Sequence, residues 1–219
     1  MIFCRSGKRK FAEFIIRGLI MYNDGIKHGK EHINRPHHIY VEGAYYFIIG
    51  RCLEGKKYFS TSQKKDIFVS VLQNLQKELN IKIYSWFLLN NHYHILCSLG
   101  ELTFTTPKSD HNISYQSTLV KFIKRLHVIT SLLINKQDDT PGRKIWYQYF
   151  DYCIRNKADF WKHFNYIIKN PFKHGLVTSL EKSFHYKYSS NSTWFKRFGM
   201  DGLNECFIKY PVEEVFLGD

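Results

Sequence analysis

The chain is 219 residues long, enough for one domain of ordinary size with extensions or for two small ones. Apolar residues make up 44% of it, which excludes a disordered chain; the best candidate for a membrane span, residues 14–21, is too short and carries Arg17. Lys and Arg total 32 against 19 acids, and a formal net charge of +13 points to a polyanionic partner.

The first residues lack the basic, apolar, small-residue order of a secretory leader, so a cytoplasmic protein is expected. The five cysteines, Cys4, Cys52, Cys97, Cys153 and Cys206, form no CxxC pair and are expected to be reduced core thiols. Aromatics reach 17%. Most should be core, but a basic surface with aromatic platforms also suits single-stranded nucleic acid.

Residues 1–35 read as a basic extension, with helix-like spacing at 11–21 closed by Asn23-Asp24-Gly25. Residues 44–52, AYYFIIGRC, predict a strand. Thr61 or Ser62 caps a predicted helix running to about residue 79. Strands follow at 81–89 and 92–99, joined by a tight Asn90-Asn91 turn into a hairpin. Residues 100–112 read as loop and 114–135 as a long helix with Lys121, Lys124 and Arg125 on its exposed side. A fourth strand is expected at 145–154. Asn156 then caps a last helix that should stop at Pro171, because the residue before proline is disfavoured in the α region. Residues 176–219 give no clear pattern. The order β, α, β, β, α, β, α predicts an α+β, ferredoxin-like split βαβ sandwich. Its antiparallel or mixed sheet carries helices on one face, with a helix added after the last strand.

Two constellations carry chemistry. In His92-Tyr93-His94 the imidazoles are two apart on a strand and share a face, so they can share one divalent metal. In a chain with 11 histidines the bare pattern is weak, and two half-exposed strand-end histidines is the plain alternative. His28 and His32 are at helical chelating spacing, whereas His37 and His38 would point to opposite faces of a strand. On the last predicted helix His163, Tyr166 and Asn170 share one face. A phenol can act as a nucleophile and an Asn carbonyl as a hard metal donor. A solvent-facing stripe is the plain alternative here. No phosphate-binding GxxxxGK[ST] loop, GxGxxG, HExxH or GxSxG occurs, which disfavours nucleoside triphosphate chemistry and the common hydrolases.

Together these segments resemble the HUH single-tyrosine transposases, and most closely the REP-associated tyrosine transposases. SWFLL followed by NNHYHILCS resembles their His-hydrophobic-His strand. FDYCIRNKADFWKHFNYIIKNPFKHGLV looks very like the stretch that holds their nucleophile. RPHHIYVEGAYYFI resembles their opening segment and FHYKYSSNSTWF their closing one. The likeness runs from about residue 35 to about 195. Tyr93 and Asn90 depart from it, standing where an aliphatic residue and a proline are usual.

The resemblance implies a prokaryotic, DNA-associated enzyme that cleaves and rejoins single-stranded DNA, at hairpin-flanked sites, through a 5′-phosphotyrosine. His92, His94 and Asn170 would bind Mg²⁺ or Mn²⁺, and Tyr166 would be the nucleophile. Lys121, Lys124, Arg125, Arg155 and Lys173 are the basic residues expected along the DNA path. Residues 1–35 would be an extension, 36–178 the catalytic domain and 179–219 a C-terminal segment. The alternative is a domesticated, non-cleaving binder of hairpin DNA or RNA with the same fold. Monomer and homodimer are both open, and no membrane partner is expected.

Overall fold

The computed structural model describes residues 44–99 and 118–212. The extension at 1–35, the His28/His32 and His37/His38 pairs, the loop at 100–112 and the residues after 212 lie outside the described residues. The described residues divide into two compact units, 44–99 with 118–153, and 154–212.

The first unit contains β1 (Tyr45–Cys52), α1 (Ser62–Glu78), β2 (Ile81–Leu88), β3 (His92–Leu99), α2 (Thr118–Gln137) and β4 (Trp146–Cys153). The strands form one sheet in the order β2-β3-β1-β4, with every neighbouring pair antiparallel. This is the ferredoxin-like strand order. Both start signals act as expected. Thr61 accepts a hydrogen bond from the Lys64 backbone N–H at 3.4 Å and caps α1. The hairpin closes through Leu89 N–H donating to the His92 carbonyl at 2.8 Å, which leaves Asn90 and Asn91 as the turn.

Strand alternation gives the sheet two faces. One face presents Tyr46, Ile48, Gly50, Tyr93 and Ile95 to the helices. Tyr93 touches Phe68 of α1 at 5.1 Å between ring centroids and His127 of α2 at 5.8 Å. Burying each such large side chain stabilises the fold by roughly 1.5–3 kcal/mol. The other face carries Phe47, Ile49, Phe87, His94 and Leu96, and these are buried too. Arg125 of α2 clasps Glu78 of α1 in a bidentate ion pair, with Nη2 to Oε2 at 2.8 Å. Lys64 and Arg143 both pair with Asp138 and hold its carboxyl below the usual range.

His127 has an unusual environment. Its ring stacks on Trp146 at 4.5 Å, and Tyr93 Oη lies 3.0 Å from its Nε2. Burial pushes the Tyr93 phenol up and the His127 imidazole down to about 3. Both groups are therefore held neutral. A folded value below the unfolded one, about 6.5, means the unfolded chain binds the extra proton. Stability should be complete above about pH 6.5 and fall on acidification towards pH 3, by at most about 1.4 kcal/mol per pH unit. Urea midpoints at pH 7.5 and 5 should show this loss, and His127→Gln should flatten it.

The second unit is helical: α3 (Lys157–Lys173), α4 (Leu180–Ser183) and α5 (Asn191–Lys209). Asn156 caps α3 by accepting from the Asp159 N–H at 3.0 Å. The expected stop at Pro171 is corrected, because α3 runs on to Lys173 with Pro171 inside it. Pro171 lacks the N–H that would bond the Ile167 carbonyl, yet the helix continues two residues past it. The end is set instead by Gly175 at φ 66, with Leu176 N–H donating to the Pro171 carbonyl and Gly175 N–H to the Phe172 carbonyl. This is a Schellman close that needs the left-handed residue.

The helix α5, absent from the sequence reading, is bent at Gly199, where φ is 65. The bend shifts the phase of its buried positions, Trp194 before it and Leu203, Cys206 and Phe207 after it, so no single 3.6-residue stripe runs through. Two buried asparagines tie the unit together. Asn165 of α3 donates to the carbonyls of Cys206 and Tyr210, and Asn191 of α5 to those of Ile168 and Ser183. Of the cysteines, Cys52, Cys97 and Cys206 are buried free thiols, Cys153 is a half-buried one, and Cys4 lies outside the described residues.

Candidate active site

The histidines of β3 lie on the face of the sheet opposite α1 and α2. Their rings are 5.0 Å apart between centroids and nearly perpendicular, at 83°. His94 is fully buried, stacked against Phe47 of β1 at 5.6 Å and facing Phe87 of β2 at 6.5 Å. Its Nδ1 and Nε2 are both shielded from solvent, as is His92 Nε2. The half-buried His92 sits at the start of the strand, opposite Arg51 of β1. It lines a cleft of about 380 Å³ together with Arg51, Cys52, Asn91 and Tyr147. His92 Nδ1 is 2.8 Å from the side-chain oxygen of Asn91.

Strand geometry alone puts the two imidazoles on one face. What holds the strand in place is Tyr93 between them, which is fully buried and directly opposite Gly50 of β1. A Cβ at position 50 would overlap the edge of the Tyr93 ring. The bulky residue between the histidines is thus accommodated by a glycine, a pairing of large and absent side chains across neighbouring strands.

In the helical unit, α3 carries His163, Tyr166 and Asn170 on one face, and all three are buried. A solvent-facing stripe is thereby ruled out. His163 Nδ1 lies 2.8 Å from the Asp159 carbonyl oxygen and 3.1 Å from its carboxylate, which makes His163 part of the helix's first turns. Asn170 Nδ2 donates to the Tyr166 carbonyl at 2.9 Å, which fixes the amide's orientation. Its Oδ1 is buried and has no hydrogen-bond partner among the described residues. Leaving a buried carbonyl oxygen unsatisfied costs about 1–3 kcal/mol unless something else occupies it. Lys173 Nζ lies 5.1 Å from the centre of the Tyr166 ring.

Among the described residues, no three His, Cys, Asp or Glu side chains gather closely enough to hold a metal ion. Lys121 and Lys124 are exposed on α2, and Arg155 and Lys173 are exposed in the helical unit. Arg125 is committed to Glu78. Asn91, which sequence reasoning placed only in a turn, belongs beside the histidines. Its signal was adjacency to His92, which marks turns and ligands alike.

A structure of the REP-associated tyrosine transposase bound to a REP hairpin superposes on this chain with a TM-score of 0.55. The match has 19% identity and covers 85% of this chain and 93% of that one. The chain shares its fold with that protein. A protein from Deinococcus radiodurans R1 assigned as a transposase also matches, with a TM-score of 0.35, 12% identity, and 68% and 97% of the two chains covered. No protein-family model matches the chain, and no curated protein does. Among the described residues, no helix is long and apolar enough to cross a membrane.

Proposed function

We propose that the protein cleaves and rejoins single-stranded DNA at hairpin-flanked sites through a 5′-phosphotyrosine on Tyr166. His92, His94 and Asn170 would hold Mg²⁺ or Mn²⁺. The observation that carries this reading is Asn170: its amide oxygen is buried without a hydrogen-bond donor among the described residues, one helical turn from a buried tyrosine. An amide oxygen and two imidazoles would be a donor set suited to a divalent ion with open positions for phosphate oxygens. When bound, the ion would polarise the scissile phosphate and neutralise developing charge.

The chain's own residues would do the rest. Tyr166 Oη forms a bond to phosphorus as the bond to the 3′-oxygen breaks, and the phenol's proton ends on that oxygen. One phosphoester bond is made for each one broken, so a second 3′-hydroxyl can reverse the step without a nucleotide cofactor. The Asn170 side chain is oriented by its bond to the Tyr166 carbonyl, which couples ligand and nucleophile on one rigid helix. Lys173 beside the Tyr166 ring offsets negative charge as the phenol loses its proton. The hairpin in the solved relative supports a hairpin substrate.

The test is cleavage of a 5′-labelled single-stranded hairpin oligonucleotide. A product ending in a 3′-hydroxyl is expected with Mg²⁺ or Mn²⁺ and none in chelator. Cleavage unaffected by chelator, or none with either metal, would overturn the proposal.

The basic residues differ in what they can offer to DNA. Lys121→Ala, Lys124→Ala and Lys173→Ala should each weaken single-strand binding and flatten its salt dependence by about 0.7 in the log–log slope. Arg125→Ala should leave the slope unchanged, since its guanidinium already serves Glu78. Fluorescence anisotropy across a KCl series would measure both.

A further inference from the structure

We infer that Asn91 is a positioning residue that sets the tautomer of His92 and so presents Nε2 as its ligand nitrogen; the ligand part rests on the proposed metal role of His92. Asn91 sits at the second position of the β2–β3 turn, and its side chain makes two contacts. Nδ2 donates to the Gly55 carbonyl at 3.3 Å, and Oδ1 lies 2.8 Å from His92 Nδ1. A carbonyl only accepts, so the end of the amide facing Gly55 must be the NH₂. The end facing His92 is then the oxygen, and His92 Nδ1 must carry the proton and donate. In the neutral ring the lone pair is left on Nε2.

The chain of three groups, Gly55 carbonyl to Asn91 amide to His92 ring, therefore fixes both the tautomer and the ring's orientation. Metal-bound histidines commonly have such an acceptor on the other nitrogen. The anchor itself is held by local structure. Gly55 lies in the 3₁₀ turn Leu53–Gly55, at φ 66, and that turn follows directly from β1. The Asn91 carbonyl accepts from the Cys52 N–H at 2.8 Å, which ties the β2–β3 turn to the end of the same strand. Asn91 is not among the residues with positive φ, so its backbone does not demand asparagine. Its side chain is the part with a function. The His92 position was visible in the sequence, but the Gly55 contact bridges 36 residues and was not.

Two-bond ¹H–¹⁵N correlation spectra of the ¹⁵N-histidine-labelled full chain report the tautomer without DNA or metal. Wild type should show the Nδ1–H form for His92. Asn91→Leu should lose that preference, with the fold retained by thermal unfolding. Asn91→Asp keeps an acceptor and should restore the Nδ1–H form. In a Mn²⁺ titration followed by calorimetry, Asn91→Leu should bind about 10- to 100-fold more weakly than wild type, and Asn91→Asp should recover. An Nε2–H ring in wild type, or an unchanged tautomer in Asn91→Leu, would overturn the inference. The predicted tautomers without any Mn²⁺ binding by wild type would uphold the positioning of the ring and overturn the metal role of His92 instead.

Discussion

Tyr166→Phe is expected to bind hairpin DNA as tightly as wild type and to form no covalent adduct with it. The substitution removes one oxygen and leaves the ring that fills the buried face of α3. Packing should change little, and the effect should fall on the chemical step. Loss of a covalent nucleophile typically costs about a thousandfold or more in turnover. A denaturing gel of labelled hairpin DNA with Mn²⁺ would show the shifted protein–DNA band for wild type and not for Tyr166→Phe. Tyr186→Phe is the control. Burial pushes the Tyr186 phenol up to about 12, and its ring lies beside Tyr188. That variant should still form the adduct. Equal adduct from Tyr166→Phe would assign the chemistry to another residue.

Gly50→Ala should be among the most damaging single-methyl additions in the chain. Gly50 and Tyr93 are direct cross-strand partners, and the new Cβ would lie inside the edge of a ring that is itself fully buried. The ring cannot swing away, because Phe68, His127 and Trp146 surround it. Overpacking of this kind costs about 3 kcal/mol. For a chain of this size that lowers the melting temperature by roughly 6–12 °C. The strand carrying His92 and His94 would also shift, so Mn²⁺ affinity should fall with stability. Tyr93→Leu, which restores an aliphatic residue between the histidines, should relieve the clash. The double variant should be less destabilised than the sum of the singles by about 1 kcal/mol or more. Additive effects would show that the ring and the glycine do not meet.

How much of this was legible depends on how local each determinant is. The four strands and two helices of the sheet unit were readable because alternation, turn asparagines and the Thr61 cap act within a few residues. The His92–His94 pair and the shared face of Tyr166 and Asn170 follow from strand and helix periods alone. The burial of that helix face was not legible, since periodicity says which residues align and not what covers them. The continuation of α3 through Pro171 is not legible because a following proline only biases Asn170 away from the α region, whereas Gly175 sets the helix end. The bent α5 was missed because Gly199 interrupts its stripe. Asn91 and Gly50 act through contacts between strands and turns distant in sequence, and one chain read in order does not display them.

In the proposed reaction Tyr166 becomes covalently attached to a 5′-phosphate. The most direct test is mass spectrometry of the proteolysed adduct formed with a single-stranded hairpin and Mn²⁺. A phosphonucleotide is expected on the peptide containing Tyr166, linked through the phenolic oxygen. A nucleotide on any other residue, or cleavage with no peptide modified, would contradict it.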